Sequence, residues 1–552
     1  MSLYTAARNG DIEVVKDLLD KGINANALDY NDVTALMYAS GSDSPNALEI
    51  VKLLLEKGAD VNKTDGEFGE TALFRAIESD NDKALDIVKL LLEYGADIDV
   101  PYGYRGKTPL IAAILKKGGS GMTKLLLEKG ADSNIKDENG TTALQYASRN
   151  SNSPGSIDMI RLLLEHGADI NSQDNKGFSS LMSSVIRSTT TSSLDTVRLL
   201  LEKGADPNLK TIDKQTALMM AVDKSTTTSS LDTVKLLLEH GADINIQNED
   251  GWTALTLAAR YSNTTSSLDT VRLLLEKGAD VNTQDKQGWT PLIVATRHSN
   301  RESSLDTVKL LLEYHADVNI QTNGGKTALM FASGESNHDS SLDNVKILLE
   351  YGSYVNTQDT DGNTALMFSS KLSNRESSLD TVKLLLEYGA DPFILNNDKR
   401  SALDLCPTDQ CEIVLSDVIW KRLYTRAINT AERYSKSGDI RLPKDIWELI
   451  LLNKRQQQLC KELSSDKNRY LLVLFATELG IPISQDITKA KLCATIARQL
   501  AYGKYYSEAS KKYTDDKIKE DIASVKRLAM RFGIDRNQPI DKILNDLAEL
   551  MK

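Results

Sequence analysis

The sequence predicts an all-α solenoid: helix pairs joined by β-hairpin loops at a 37-residue period, followed by a C-terminal helical module. Three observations predict it. A phrase of the form Leu53-Leu54-Leu55-Glu56-Lys57-Gly58-Ala59-Asp60 returns, ending at Asp97, Asp132, Asp169, Asp206, Asp243, Asp280, Asp317 and Asp391. Its glycine recurs after 36, 37 and 35 residues and then steadily every 37, with His315 filling one glycine slot. The period stops near residue 415, and the charge balance changes sign beyond it. A constant period of this length marks a repeat array rather than the roughly three or four globular domains that 552 residues would otherwise suggest.

Each element of the repeat has a local cause. Thr253-Ala254-Leu255-Thr256-Leu257-Ala258-Ala259 opens a short first helix with small residues on one side. A polar loop follows. Ser267-Leu268-Asp269-Thr270 opens a second helix, with Ser267 as N-cap and Asp269 suited to the positive end of the helix dipole. Leu268, Val271, Leu274 and Leu275 have helical spacing and form the stripe expected to face neighbouring repeats. Gly278 ends the helix in the left-handed conformation. Residues 281–288 then form an extended segment with a turn that leads to the next Thr290-Pro291-Leu292. One such unit cannot bury its own apolar face, so stability requires stacking.

Composition narrows the function. Hydrophobic content of 41% and charged content of 26% are ordinary for a folded soluble protein and argue against global disorder. No uninterrupted apolar run of about 18 residues is present, so no membrane span is expected. Residues 1–7 lack a basic region followed by an apolar core, so no signal peptide is expected either. The 4 cysteines, Cys406, Cys411, Cys460 and Cys493, are too few for a disulfide framework and fit a reducing compartment, the cytoplasm with the nucleus accessible. The 5 histidines are dispersed, and Cys406 and Cys411 have no matching pair nearby, so no metal site is expected. Phosphate-loop, nucleophile-elbow and zinc-protease motifs are missing, so neither an enzyme nor a cofactor is expected.

Gly-x-Thr-Ala/Pro-Leu, Ala-Ala, the Leu-Leu-Leu helix and Gly-Ala-Asp-Val-Asn resemble ankyrin repeats over residues 1–415, in about eleven or twelve units. Two features depart from the family pattern. The histidine usual after Thr-Pro-Leu is replaced by Met37, Phe74, Ile111, Gln145, Met182, Met219, Thr256, Ile293, Met330 and Met367. The family's inter-repeat histidine hydrogen bonds are then lost, and apolar packing is expected in their place. From Asp137 onward most units also carry extra residues between their two helices, such as Ser188-Thr189-Thr190-Thr191-Ser192-Ser193. Such extension is thermodynamically mild and lengthens one rim of the stack.

The resemblance implies protein binding through hairpin tips and the concave face of the first helices. Phe178, Gln215, Trp252 and Trp289 occupy one position in four consecutive units, just before the Ser or Thr that opens the first helix. Three large aromatics along one ridge suit interface anchors, although each ring could instead pack on the neighbouring hairpin. The ends of the first helices carry Arg149, Arg187, Lys224, Arg260-Tyr261, Arg297-His298 and Lys371. At one register these form a basic, partly aromatic stripe that suits an acidic peptide, with ordinary solvated charges as the plainer alternative. A monomer is expected.

A helical segment over 412–434 is expected to cap the stack, with a short linker at 435–439, so that residues 416–440 separate the repeats from a helical domain at 441–552. Leu442-Pro443-Lys444-Asp445-Ile446-Trp447-Glu448-Leu449-Ile450-Leu451 opens a helix and resembles the start of an F-box. Ankyrin repeats followed by such a tail are similar to ankyrin proteins of large DNA viruses, including the poxvirus type. The resemblance implies docking on a Skp-type adaptor of a cullin–RING ubiquitin ligase through Leu442, Pro443, Ile446, Ile450 and Leu451. Residues 473–496 are similar to a SAP-type helix–extension–helix, a fold that often binds DNA. From Lys421 the tail holds 26 basic and 17 acidic residues, a net +9, whereas residues 1–420 carry −21. The basic residues are spread among acids without an arginine-rich run, which weighs against nucleic acid. The expected function is a non-enzymatic adaptor, with a plain scaffold and a nucleic-acid-associated protein as alternatives.

Overall fold

The computed structural model describes residues 1–415 except 67, 104, 151–154, 187–190, 224–227, 263–266, 299–304, 335–338, 373–375 and 409; beyond 415 it describes only Val418. Most of the lengthened inter-helix loops, the tail and the F-box-like and SAP-like segments lie outside the described residues. The described chain forms two compact units that meet in sequence between Lys286 and Gln287. The first contains eight helix pairs, from Leu3–Asn9 and Ile12–Asp20 to Ala254–Tyr261 and Leu268–Glu276. The second contains three pairs, from Pro291–His298 and Leu305–Glu313 to Ala365–Lys371 and Glu376–Glu387, and then a 3₁₀ turn at Leu403–Leu405.

Within each unit, first helices pack on first helices of neighbouring repeats, and second helices on second helices. The recurring Thr-Ala/Pro-Leu fixes the start of the first helix. Thr34, Thr71, Thr142 and Thr253 each accept the backbone N–H three residues on through the side-chain hydroxyl. Ser179 does the same for Met182. Ala and Leu then go straight into the core: Ala35 and Leu36 are fully buried. On the second helix Ser267 caps as expected, accepting from Thr270 N–H at 3.2 Å. Val271, Leu274 and Leu275 of the expected stripe are buried, whereas Leu268 is only half-buried because it lies at the open first turn.

The helix-ending glycine adopts φ 85° at Gly278, the left-handed region. His315, in the same slot, is forced to φ 66°. The hairpins differ from the expected β-hairpins. Among the described residues no strand forms, and only the isolated bridges Leu28–Thr34 and Tyr102–Lys107 are present. The legs are too short for a ladder. The loops are instead tied by a side chain at their start: Asp29 Oδ1 accepts from Asn31 and Val33 N–H, both at 2.9 Å, and Thr211, Asn248, Thr322 and Asn396 accept in the same way in their own hairpins.

The positions of the missing histidines are buried, Met37 at 1% and Ile293 at 1% exposure, so apolar packing does replace the hydrogen bonds. Gln145 and Thr256 are the polar exceptions: the Gln145 amide donates to the carbonyls of Ser172 and Phe178 in the next repeat, whereas the Thr256 hydroxyl lies 3.1 Å from that of Thr253 in its own repeat. Cys406 and Cys411 form a disulfide, with Cα atoms 5.8 Å apart. A single bridge between residues five apart in sequence is no disulfide framework.

Candidate protein-interaction face

The clamp between repeats is an asparagine. In Gly-Ala-Asp-Val-Asn the aspartate accepts the backbone N–H of the asparagine; Asp60 Oδ1 holds Asn62 N–H at 3.0 Å. The side chain of Asn62 then reaches the next repeat, donating to the Gly95 carbonyl at 3.0 Å and accepting Asp97 N–H at 2.7 Å. Asn134, Asn208 and Asn356 repeat this two-way contact. The conspicuous carboxylates of the repeat are therefore structural. Asp99 takes the asparagine's place in one repeat. It accepts Asp132 N–H at 3.1 Å but, as a carboxylate, has no proton for the Gly130 carbonyl. Burial raises its pKa, and the nearby Asp132 and Asp97 charges add to the rise against the backbone hydrogen bond.

The hairpin aspartates also organise the face beside them. The second oxygen of Asp29 accepts the Tyr38 hydroxyl at 2.7 Å, and that of Asp137 accepts Tyr146 at 2.7 Å. Burial raises Asp29, but the Tyr38, Val33 and Asn31 hydrogen bonds outweigh it and bring the pKa below the usual value. Tyr146 is pushed up to about 12 by burial, with the Asp137 hydrogen bond adding to it. In the second unit Phe368 stands where these tyrosines stand. Asp359 there is 6% exposed, and its Oδ2 has no hydrogen-bond partner.

Two of the expected hairpin aromatics, Trp252 and Trp289, stand beside expected helix-end arginines. In the first unit, the guanidinium carbon of Arg260 lies 5.1 Å from the Trp252 ring centroid and 5.0 Å from that of Tyr261. In the second, Arg297 lies 4.9 Å from Trp289 and 5.6 Å from Phe331. The common sequence signal is a spacing of eight residues between hairpin aromatic and helix-end arginine, which separate reading of the two sets missed. Phe178 is half-buried, and the residue eight further on is Ile186, so no arginine stands in that register. Arg187 and Lys224 lie outside the described residues; His298 is half-buried at the end of its helix.

The stripe is not uniformly basic. Arg149 lies 5.9 Å from the Tyr146 centroid and pairs with Asp174 at 3.2 Å. Arg75 pairs with Asp65 and Glu70, each at 3.1 Å. The second unit differs. Trp289 and Phe331 are 4.8 Å apart, and Lys326 Nζ sits 5.9 Å from Phe331 and 5.2 Å from Phe368. Arg297, Trp289, Phe331, Lys326 and Phe368 thus form one unbroken succession, and among the described residues no carboxylate pairs with Arg297 or Lys326. Phe331, Phe368 and Lys326 were not singled out from sequence. Phe331 and Phe368 directly follow the buried methionines at the former histidine position, which drew attention to the core face alone.

Among the described residues no group of three or more His, Cys, Asp and Glu side chains is placed to hold a metal ion. No helix among them is long and apolar enough to cross a membrane. The F-box-like residues Leu442, Pro443, Ile446, Ile450 and Leu451 lie outside the described residues. Ankyrin repeats are protein-interaction scaffolds, and the face described here is built from their hairpins and first helices. No curated protein matches the chain. The family model for ankyrin repeats, three copies long, matches in overlapping windows that run from 3–102 to 332–415. These cover well over half of the sequence, and the chain belongs to the ankyrin-repeat family.

Proposed function

We propose that this chain is an interaction adaptor: its repeats capture an acidic protein segment, and its tail recruits a second protein. The observation that carries the first half is the succession Arg297–Trp289–Phe331–Lys326–Phe368. Its cations stand over aromatic rings instead of carboxylates, so they are held in place while their charge stays unspent. Half-buried aromatics beside arginine are the typical anchors of a protein interface. A carboxylate can approach Arg297 by the fork of its guanidinium, which lysine-only surfaces lack. In the first unit Arg75 and Arg149 already have carboxylate partners, which favours the second unit as the capture site.

The experiment is an anisotropy titration of a labelled Asp/Glu-rich peptide with the full chain. Saturable binding that falls with salt and is weakened about tenfold by Arg297→Ala plus Lys326→Ala supports the reading. Binding indifferent to both substitutions would refute it.

The F-box-like opening supports the second half: recruitment of a Skp-type adaptor and cullin through Leu442, Pro443, Ile446, Ile450 and Leu451. A pulldown with the full chain tests it. Recovery of those two proteins, lost on Ile446→Asp plus Ile450→Asp, supports an adaptor for ubiquitin ligase. Retention of neither protein leaves a plain scaffold, and salt-sensitive DNA binding by the basic tail would replace this half with a nucleic-acid role.

A further inference from the structure

The residue before each helix-ending glycine changes character between the two units. In the first unit it is Lys or His in every repeat except that of Tyr94. There it can answer the acidic residue at the end of a second helix: Lys57 Nζ donates to Asp20 Oδ1 of the preceding repeat at 2.9 Å. All three repeats of the second unit carry tyrosine at this slot: Tyr314, Tyr351 and Tyr388. Tyr351 and Tyr388 are 48% and 44% exposed, and Tyr354, which replaces the aspartate of Gly-Ala-Asp, is 70% exposed. The residues just before the slot, Glu313, Glu350 and Glu387, are exposed, and among the described residues no cation pairs with them.

Tyr351 and Tyr388 therefore each present an exposed phenol ring beside a carboxylate with no paired cation among the described residues, and the half-buried Tyr314 continues the same register. We propose that this tyrosine–glutamate row is a second docking surface, and that it binds an extended Lys/Arg-rich protein segment. Charge complementarity selects the occupant. A cation can lie on a ring face while its N–H groups reach the adjacent carboxylate, and tyrosine loses little conformational freedom when it is covered. Packed helices lie about 8–10 Å apart, so three consecutive slots span on the order of 20 Å. Roughly six residues of extended chain cover that distance. The row is built from the ends of the second helices, whereas the acidic-segment face uses hairpins and first helices. The two surfaces belong to the same unit but take partners of opposite charge.

The test is an anisotropy titration of the full chain with a labelled Lys/Arg-rich peptide, and with a Glu/Asp-rich peptide of equal length. Tyr351→Ser, Tyr354→Ser and Tyr388→Ser together leave the net charge unchanged and affect only exposed rings; circular dichroism confirms that the fold is retained. This variant is expected to weaken the basic peptide at least about tenfold while leaving the acidic peptide unaffected. Tyr351→Lys plus Tyr388→Lys, which restores the chemistry of the first unit, is expected to weaken it further. Glu350→Gln plus Glu387→Gln should flatten the salt dependence. Absence of saturable binding of the basic peptide, or binding unchanged in the serine variant, would overturn the proposal. Because Arg297 and Lys326 remain intact in every variant, failure here is distinct from failure of the acidic-segment face.

Discussion

Trp252 donates its indole N–H to Asp285 Oδ2 in the following hairpin, at a distance of 3.0 Å. The same ring carries Arg260 on its face. Trp252 is thus both a bond between repeats and a support for a cation, and packing on the neighbouring hairpin accounts for part of the aromatic ridge. Replacing it with phenylalanine keeps the ring and removes the bond. Trp252→Phe is expected to lower stability by about 1–2 kcal/mol, because the Asp285 carboxylate loses a charge-assisted donor. Chemical unfolding followed by circular dichroism measures this.

Asp99 is the weak link in the asparagine series. Asp99→Asn supplies a donor for the Gly130 carbonyl while keeping the acceptor for Asp132 N–H, and is expected to stabilise the chain by about 1 kcal/mol at neutral pH. The pH dependence has a defined sign. The folded pKa of Asp99 is raised, chiefly by burial, so its ionised form costs stability at pH values above the folded pKa. As the pH falls from the folded value toward the ordinary carboxylate value near ~4, the folded state takes up the proton first and that cost disappears. The advantage of the asparagine variant is expected to shrink across this window. A constant advantage from neutral to acid pH would contradict the assignment.

The bare Oδ2 of Asp359 makes a prediction about Phe368. Tyr38 and Tyr146 place a hydroxyl on the equivalent aspartates, Asp29 and Asp137. Phe368→Tyr is therefore expected to gain about 1 kcal/mol by supplying the missing donor. Tyr146→Phe is expected to lose about 1–3 kcal/mol by leaving a buried oxygen unpaired. Thermal melts of the two variants should move in opposite directions.

His315 pays for a left-handed backbone that glycine adopts freely. His315→Gly is expected to stabilise the chain by about 1 kcal/mol, and Gly278→His to destabilise it by a similar amount. Urea midpoints for the pair check both.

Much of the fold was legible because it is written many times. A threonine cap, a buried Ala-Leu and a helix-ending glycine at fixed spacing define a unit without reference to its neighbours, and Thr253, Ser267 and Gly278 do what their residue types dictate. The clamp was less legible. Asn62 looks like an ordinary loop residue until the next repeat brings Gly95 and Asp97 to its two ends. The site was legible by residue and not by relationship. Trp289 and Arg297 stood out separately, whereas their stacking depends on one turn of hairpin and two turns of helix. Phe331 and Lys326 come from the following repeat, and only the packing of repeats joins them to Trp289. Ion pairing, which separates Arg149 from Arg297, depends on which hairpin residue the neighbouring repeat places within reach.

The central claim is that the repeats capture acidic protein through the second unit. Amide hydrogen exchange of the full chain, with and without a saturating Asp/Glu-rich peptide, tests it most directly. The account predicts peptide-dependent protection concentrated in the segments around Trp289 to Arg297 and Lys326 to Phe331 and at Phe368, lost in Arg297→Ala plus Lys326→Ala. Protection confined to the first unit, or no change at those segments under saturating peptide, would contradict it.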